Sequence, residues 1–174
     1  MIELRDAQFS DYDSIARLHA ASWRQTYRAI YSDHFLDHEV EQDRAAVWYD
    51  RLSSPHSRQQ VIVAVQDETI IGFACLFLDD DPAYGSLLDN LHIASHWQKA
   101  GIGKRLLQAC AQRVENLGSS PKMYLWVYES NANARRVYER LGAAHIETVE
   151  QPTASGNNAL ACRYVWQDVK VLLS

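Results

Sequence analysis

An α/β fold built on a mixed sheet is what this sequence predicts, and three observations carry that reading. The apolar run Leu87-Leu88-Asp89-Asn90-Leu91-His92-Ile93 leads through the turn Gln98-Lys99-Ala100-Gly101-Ile102-Gly103-Lys104 into Ile102, Leu106, Leu107, Cys110, Val114 and Leu117, at the helical spacings of three, four and seven. Residues 122–129, Lys-Met-Tyr-Leu-Trp-Val-Tyr-Glu, alternate bulky apolar groups as a strand does. They run through Ser130 and Asn131 into a second helical stretch, Ala132 to Leu141, stopped by Gly142. Between two earlier apolar runs, Gln66-Asp67-Glu68-Thr69 reads as a tight hairpin. Hairpins make antiparallel pairs and strand-turn-helix units need parallel neighbours, so the sheet is mixed.

Taken in order, the patterning gives a strand over 2–6, helices within 11–28 and 39–53, and strands near 60–66, 69–78 and 86–93. A helix over 101–117, a strand over 122–129, a helix over 131–141 and strands near 144–150 and 159–170 follow. Trp23, Tyr27 and Tyr31 recur every four residues, a spacing that puts them on one helical face and ordinarily means core packing. Asp79-Asp80-Asp81-Pro82 reads as a solvated loop.

Composition bounds the rest. With 174 residues and 47% apolar content the chain has enough interior for one core, and no repeat or linker divides it, so residues 1–174 are expected to form a single domain. No apolar run approaches the roughly 18 residues of a membrane span, and Met1-Ile2-Glu3-Leu4-Arg5-Asp6 has no signal-peptide character, so a cytoplasmic location without membrane contact is expected. A net charge of −5 argues against nucleic-acid binding and is compatible with a cationic amine as substrate. Cys75, Cys110 and Cys162 are odd in number and sit in apolar patterns, which suits buried thiols. The seven histidines have no zinc-like spacing, so no metal is expected.

The chemistry lies in the two turns. Glycines at 101 and 103 let successive N–H groups converge on one anion, and the first turn of the following helix adds unpaired donors and the positive end of its dipole. A G-x-G turn alone equally suits a connection that binds nothing. It is neither a Walker loop, since Arg105 stands where a hydroxyl is required, nor a dinucleotide fingerprint, since Leu106 replaces the third glycine. In the second unit Asn131 and Tyr138 lie two turns apart on one helical face. By themselves they also read as an N-cap and a half-buried core tyrosine.

Together the two motifs resemble the GNAT superfamily of acyl-CoA-dependent N-acetyltransferases. Leu91-x-Ile93-x-x-x-x-Gln98-x-x-Gly101-x-Gly103 is similar to its pyrophosphate signature, and Asn131-x-x-Ala134-x-x-x-Tyr138-x-x-x-Gly142 to its second motif, in the same order and separation. The likeness is specific over residues 87–142 and looser over the segment from Ile15 to Leu36. It implies a mostly antiparallel mixed sheet flanked by helices, with two central parallel strands that splay to admit the arm of acetyl-CoA. It further implies that Gln98, Lys99, Ala100, Gly101, Ile102, Gly103 and Lys104 hold the pyrophosphate through backbone N–H groups, that Leu91, His92 and Ile93 pair with the pantetheine arm, and that Asn131 and Ala134 border it. Tyr138 would sit beside the sulfur as the acid, and Lys104 and Arg140 lead Arg105, Arg135 and Arg136 as partners of the 3′-phosphate.

The implied reaction is acetyl transfer to a primary amine by direct attack in a ternary complex. The acceptor is open among small molecules, polyamines, aminoglycosides and protein or peptide amines. Many members carry a glutamate where this chain has Leu87, so Asp89 is the leading candidate for the base, with Glu129, His92 and a water chain as alternatives. Asp89 also reads as an ion-pair partner of a neighbouring Lys or Arg. The acidic run at 79–81 and the aromatic face of Trp23, Tyr27 and Tyr31 are further candidates for contact with the acceptor. Two other readings stand: an acyl-CoA-binding regulatory or scaffold protein with reduced turnover, and an unrelated nucleotide-binding module. The apolar segment from Leu160 to Leu173, read as a strand, is a possible seam for a homodimer.

Overall fold

Seven strands form one sheet in the computed structural model, which describes residues 1–174. The strands are β1 (Glu3–Asp6), β2 (Gln59–Gln66), β3 (Thr69–Asp81), β4 (Gly85–Ile93), β5 (Met123–Tyr128), β6 (Ala144–Pro152) and β7 (Asn158–Trp166), in the order β1-β2-β3-β4-β5-β7-β6. Every neighbouring pair is antiparallel except β4 with β5. The helices are α1 (Tyr12–Thr26), α2 (Val40–Ser53), α3 (Ile102–Leu117) and α4 (Ala132–Arg140). None is long and apolar enough to cross a membrane.

Strand alternation decides which helix covers which face. On β2 and β3, Val61, Val63, Phe73 and Cys75 point to a core shared with Ile15 of α1 and Trp48 of α2. Ile62, Ala64, Ala74 and Leu76 point the opposite way, to a larger core with Ile102, Leu106, Leu107, Cys110 and Val114 of α3. The helical period read from the sequence is thus the buried stripe of α3, except that Leu117 at its end is exposed. Leu106 and Leu107 are essentially inaccessible, and each such burial stabilises by roughly 1.5–3 kcal/mol. The 66–69 hairpin forms as expected, with both Asp67 (φ 48°) and Glu68 (φ 65°) in the left-handed region.

Several boundaries differ from expectation. α1 stops at Thr26 and is preceded by a 3-10 turn over Phe9–Asp11, where Asp11 accepts from Arg5 and from the Gln8 amide. A wide helical turn over Phe35–Glu39 leads into α2. The aspartates at 79–81 are the end of β3 rather than a free loop. Asp79 accepts from the Ser119 amide, Asp80 from the Tyr124 hydroxyl, and Asp81 from the Ala83 and Tyr84 amides. The last strand ends at Trp166, and Val169–Leu172 is a 3-10 turn whose Val169 and Leu172 are buried in the α3 core. Because β7 is paired on both edges, by β5 and β6, the strand-pairing seam for a homodimer expected at 160–173 does not exist.

Candidate active site

The parallel pair is held together only at its start. Ser86 pairs with Met123 and Leu87 with Tyr124, and no pairing follows. Gly85 makes the close approach possible: it adopts φ +86°, and a Cβ there would lie 2.2 Å from the Lys122 carbonyl oxygen. Beyond Leu87 a bulge turns β4 away. Cys75 of β3 faces Asn90 while the next residue, Leu76, faces Leu88, which leaves Asp89 as the extra residue. A cleft of ≈ 1350 Å³ opens along the resulting gap, lined by residues 88–93 of β4 and 125–128 of β5.

One end of the cleft is the start of α3. Gly101 is its N-cap, at φ +78°, and no side chain caps the helix. The first backbone hydrogen bond of the helix is Arg105 N–H to the Gly101 carbonyl, so the amides of Ile102, Gly103 and Lys104 have no partner within the protein. Gly103 faces the cleft, and a Cβ there would meet only Ile93, at 3.8 Å. Internal packing does not require glycine at 103; its absent side chain leaves room in the cleft. Three free amides at a helix start, with the dipole behind them, are an arrangement suited to an anion.

Of the residues expected to hold the cofactor, Leu91, His92, Ile93, Gln98, Lys99, Gly103, Lys104, Asn131, Ala134, Tyr138 and Arg140 line this one cleft. Ala100 and Gly101 are exposed and do not line it, and the Ile102 side chain is buried in the α3 core. Lys99, Lys104, Arg136 and Arg140 are the cations at this end. Arg105 instead donates to the Ile2 carbonyl, and Arg135 to the Tyr164 hydroxyl and the Glu129 carbonyl.

Asn131 is an N-cap and also lines the cleft. Its Oδ1 accepts from the Ala134 amide at 3.3 Å. Tyr138 packs against the core and also lines the cleft. Its ring lies edge-on to Trp166, with centroids 6.0 Å apart, while its hydroxyl makes no hydrogen bond within the protein. Burial pushes the phenol up to about 12, so it keeps its proton at neutral pH.

The opposite wall comes from α1, α2 and the other face of β4 and β5. Trp23 stacks on Tyr31 at 4.8 Å, Tyr27 meets Tyr31 edge-on at 5.6 Å, and the Tyr31 and Tyr128 hydroxyls are 2.8 Å apart. These rings were expected on one helical face. Since α1 ends before Tyr27, the turn that follows brings Tyr31 back onto Trp23. The phenols of Tyr27 and Tyr31 are raised, chiefly by burial. Asp89 is the sole acidic residue lining the cleft, and its carboxylate accepts from Arg51 Nη2 at 2.8 Å. Glu129 and the three aspartates of 79–81 lie outside the lining.

Besides its backbone, His92 contributes its ring. Nδ1 lies 2.8 Å from Ser22 Oγ, and the ring is 4.5 Å from that of His19. Burial, with Arg44 as a second cause, lowers His92 to about 4, so the imidazole is neutral at pH 7. His19 is buried and held well below its usual value, chiefly by desolvation. Its Nδ1 accepts from Trp48 Nε1, which puts the proton on Nε2, an atom with no partner. Sequence reasoning missed Ser22, Arg44, Arg51 and Trp126, all of which line the cleft. A signal existed for two of them: Arg44, Trp48 and Arg51 recur at four and three on one face of α2.

Comparison with known proteins agrees with this geometry. The family model described as acetyltransferase (GNAT) family matches residues 19–143. The uncharacterized N-acetyltransferase YuaI of Bacillus subtilis is 30% identical over 135 residues, covering 75% of this chain and 74% of that protein. A spermine/spermidine N(1)-acetyltransferase of Bacillus subtilis is 35% identical over 78 residues, covering 42% of this chain and 51% of that protein, so this match spans about half of that relative. Among solved structures, the PaiA N-acetyltransferase of Thermoplasma acidophilum, determined in complex with coenzyme A, superposes with a TM-score of 0.72 at 20% identity, covering 95% of this chain and 99% of that one. The fold expected from the two motifs is the one shared with that solved structure, and the parallel pair of this chain splays after its first two residue pairs. The chain belongs to the GNAT acetyltransferase family and is an acyltransferase.

Proposed function

We propose that this protein transfers the acetyl group of acetyl-CoA to a primary amine by direct attack in a ternary complex. The observation that carries the reading is the juxtaposition, in one cleft, of three unpaired amides at the start of α3 with the strand gap and the free Tyr138 hydroxyl. The residues fit the ligand: amides and Lys104 suit a diphosphate, the unpaired stretch of β4 suits an amide-containing arm, and Arg136 and Arg140 suit a further phosphate. Acetyl-CoA supplies the thioester carbonyl that the amine attacks.

The protein's own tasks follow from the acceptor's charge. An alkylammonium of pKa near 10.4 is neutral in about one molecule per thousand at pH 7.4, a barrier of roughly 4 kcal/mol. Asp89, the cleft's one carboxylate, is the group to take that proton, directly or through water. The backbone of β4 beside the bulge offers donors to the carbonyl oxygen as it gains charge. Tyr138, protonated and otherwise unpartnered, donates to the departing sulfur.

The test is direct. Calorimetry with acetyl-CoA is expected to give a saturable signal, and a panel of amines is expected to include one that releases free thiol continuously. Heat with no release from any amine would instead favour the regulatory or scaffold reading, for which Leu87 in place of the usual glutamate is the specific sign.

A further inference from the structure

The acceptor side of the cleft carries a guanidinium with a spare N–H donor, which an amine substrate alone does not call for. Its charged lining residues are Arg44, Arg51 and Asp89. Arg51 and Asp89 are bonded at 2.8 Å and offset each other. Arg44 is left over. Its guanidinium lies 4.2 Å over the Trp23 ring, and its side chain is only 13% exposed. Nε and Nη2 both donate to one oxygen of Asp43, a more exposed carboxylate that does not line the cleft. Nη1 donates to nothing in the protein.

A half-desolvated guanidinium fixed on an aromatic face, with a spare donor beside the reaction channel, discriminates between acceptors. Its spare N–H has nothing to accept it on a second ammonium group and binds an oxyanion, which a planar N–H edge suits. The neighbouring walls are apolar and aromatic: Trp23, Tyr27 and Tyr31 surround the same space. We propose that the acceptor is an amine with a carboxylate beside it, that is, a free amino acid with a bulky apolar or aromatic side chain, whose carboxylate is bound by Arg44 Nη1. A polyamine, which brings further cations and no anion, is disfavoured. This rests on the acetyl-transfer reading above.

The experiment compares matched acceptors in a thiol-release assay at saturating acetyl-CoA: L-phenylalanine against L-phenylalaninamide and 2-phenylethylamine, L-leucine against isoamylamine, and spermidine and spermine against all of them. An amino acid is expected to exceed its decarboxylated partner in kcat/KM by roughly tenfold or more, the usual worth of a hydrogen bond to a charged group. In Arg44→Met that ratio is expected to collapse by a similar factor, while acetyl-CoA binding by calorimetry stays unchanged. Taking the change in the ratio cancels the different amine pKa values. Should Arg44→Met fold poorly, Arg44→Leu, which likewise removes every donor, gives the same comparison. Polyamines or simple amines reacting as well as every amino acid, or a ratio indifferent to Arg44, would overturn this proposal and leave acetyl transfer standing. Absence of thiol release with every amine would overturn both.

Discussion

Arg51 reaches across 38 residues of sequence to donate Nη2 to the Asp89 carboxylate and Nη1 to Asn90 Oδ1, both at 2.8 Å. The contact straps α2 to the β4 bulge and holds the cleft's one carboxylate in place. Asp89→Asn retains an oxygen for Arg51 but removes the proton acceptor. We expect kcat to fall by about 10²–10⁴, with folding unimpaired. An unaltered kcat would remove Asp89 from the role and pass it to a water chain.

Tyr138→Phe keeps the ring against Trp166 and deletes only the hydroxyl. Turnover is expected to drop at least tenfold, within the usual range for a general acid, and acetyl-CoA affinity to hold. A loss below about threefold with affinity intact excludes Tyr138 as the acid.

At Gly103 stability and binding are expected to move in opposite directions. The position is helical, and a Cβ there meets nothing closer than Ile93 at 3.8 Å, so Gly103→Ala should stabilise the fold by about 0.5–1 kcal/mol. The added methyl also projects where free amides meet the cleft, so acetyl-CoA should bind more weakly. Thermal melts of the free protein with calorimetric titrations measure both signs, and unchanged affinity in Gly103→Val would place the ligand elsewhere.

His92 makes stability depend on pH. Its folded-state value lies near 4, against 6.5 ordinarily, because burial and Arg44 disfavour the imidazolium. Below pH 6.5 the unfolded chain therefore binds a proton that the folded chain refuses until about pH 4. Stability is full above that window and falls on acidification through it, by at most about 1.4 kcal/mol per pH unit from this residue. His19, shifted in the same direction, adds to the slope. Urea unfolding at pH 7 and pH 5 should show a smaller difference for His92→Gln than for the wild type.

The 66–69 hairpin places a charged residue at φ 65°. Glu68→Gly removes a left-handed strain of about 1–2 kcal/mol, partly offset by glycine's extra entropy in the unfolded chain. The melting temperature should rise by a few degrees. No rise would mean that the turn is not strained as its dihedral angle implies.

The sequence by itself determined the local units. Strand alternation, the buried stripe of α3, the hairpin and the two turn motifs all depend on residues within about a dozen positions of one another, and each side-chain period has one favourable backbone. The family resemblance carried by the two turn motifs then marked eleven cofactor-side residues that line the cleft. Tertiary structure decided the rest. Whether β4 and β5 stay paired depends on a bulge at Asp89 and a close approach at Gly85, neither of which changes the apolar pattern. The aspartates at 79–81 look solvated in sequence, yet each finds a partner once β3 extends to meet it. Ser22 beside His92, Arg51 on Asp89 and Arg44 over Trp23 join segments far apart in the chain. Periodicity says which face of an element is buried but not which distant side chain it meets, so the chemistry of the acceptor wall became visible only in the folded chain.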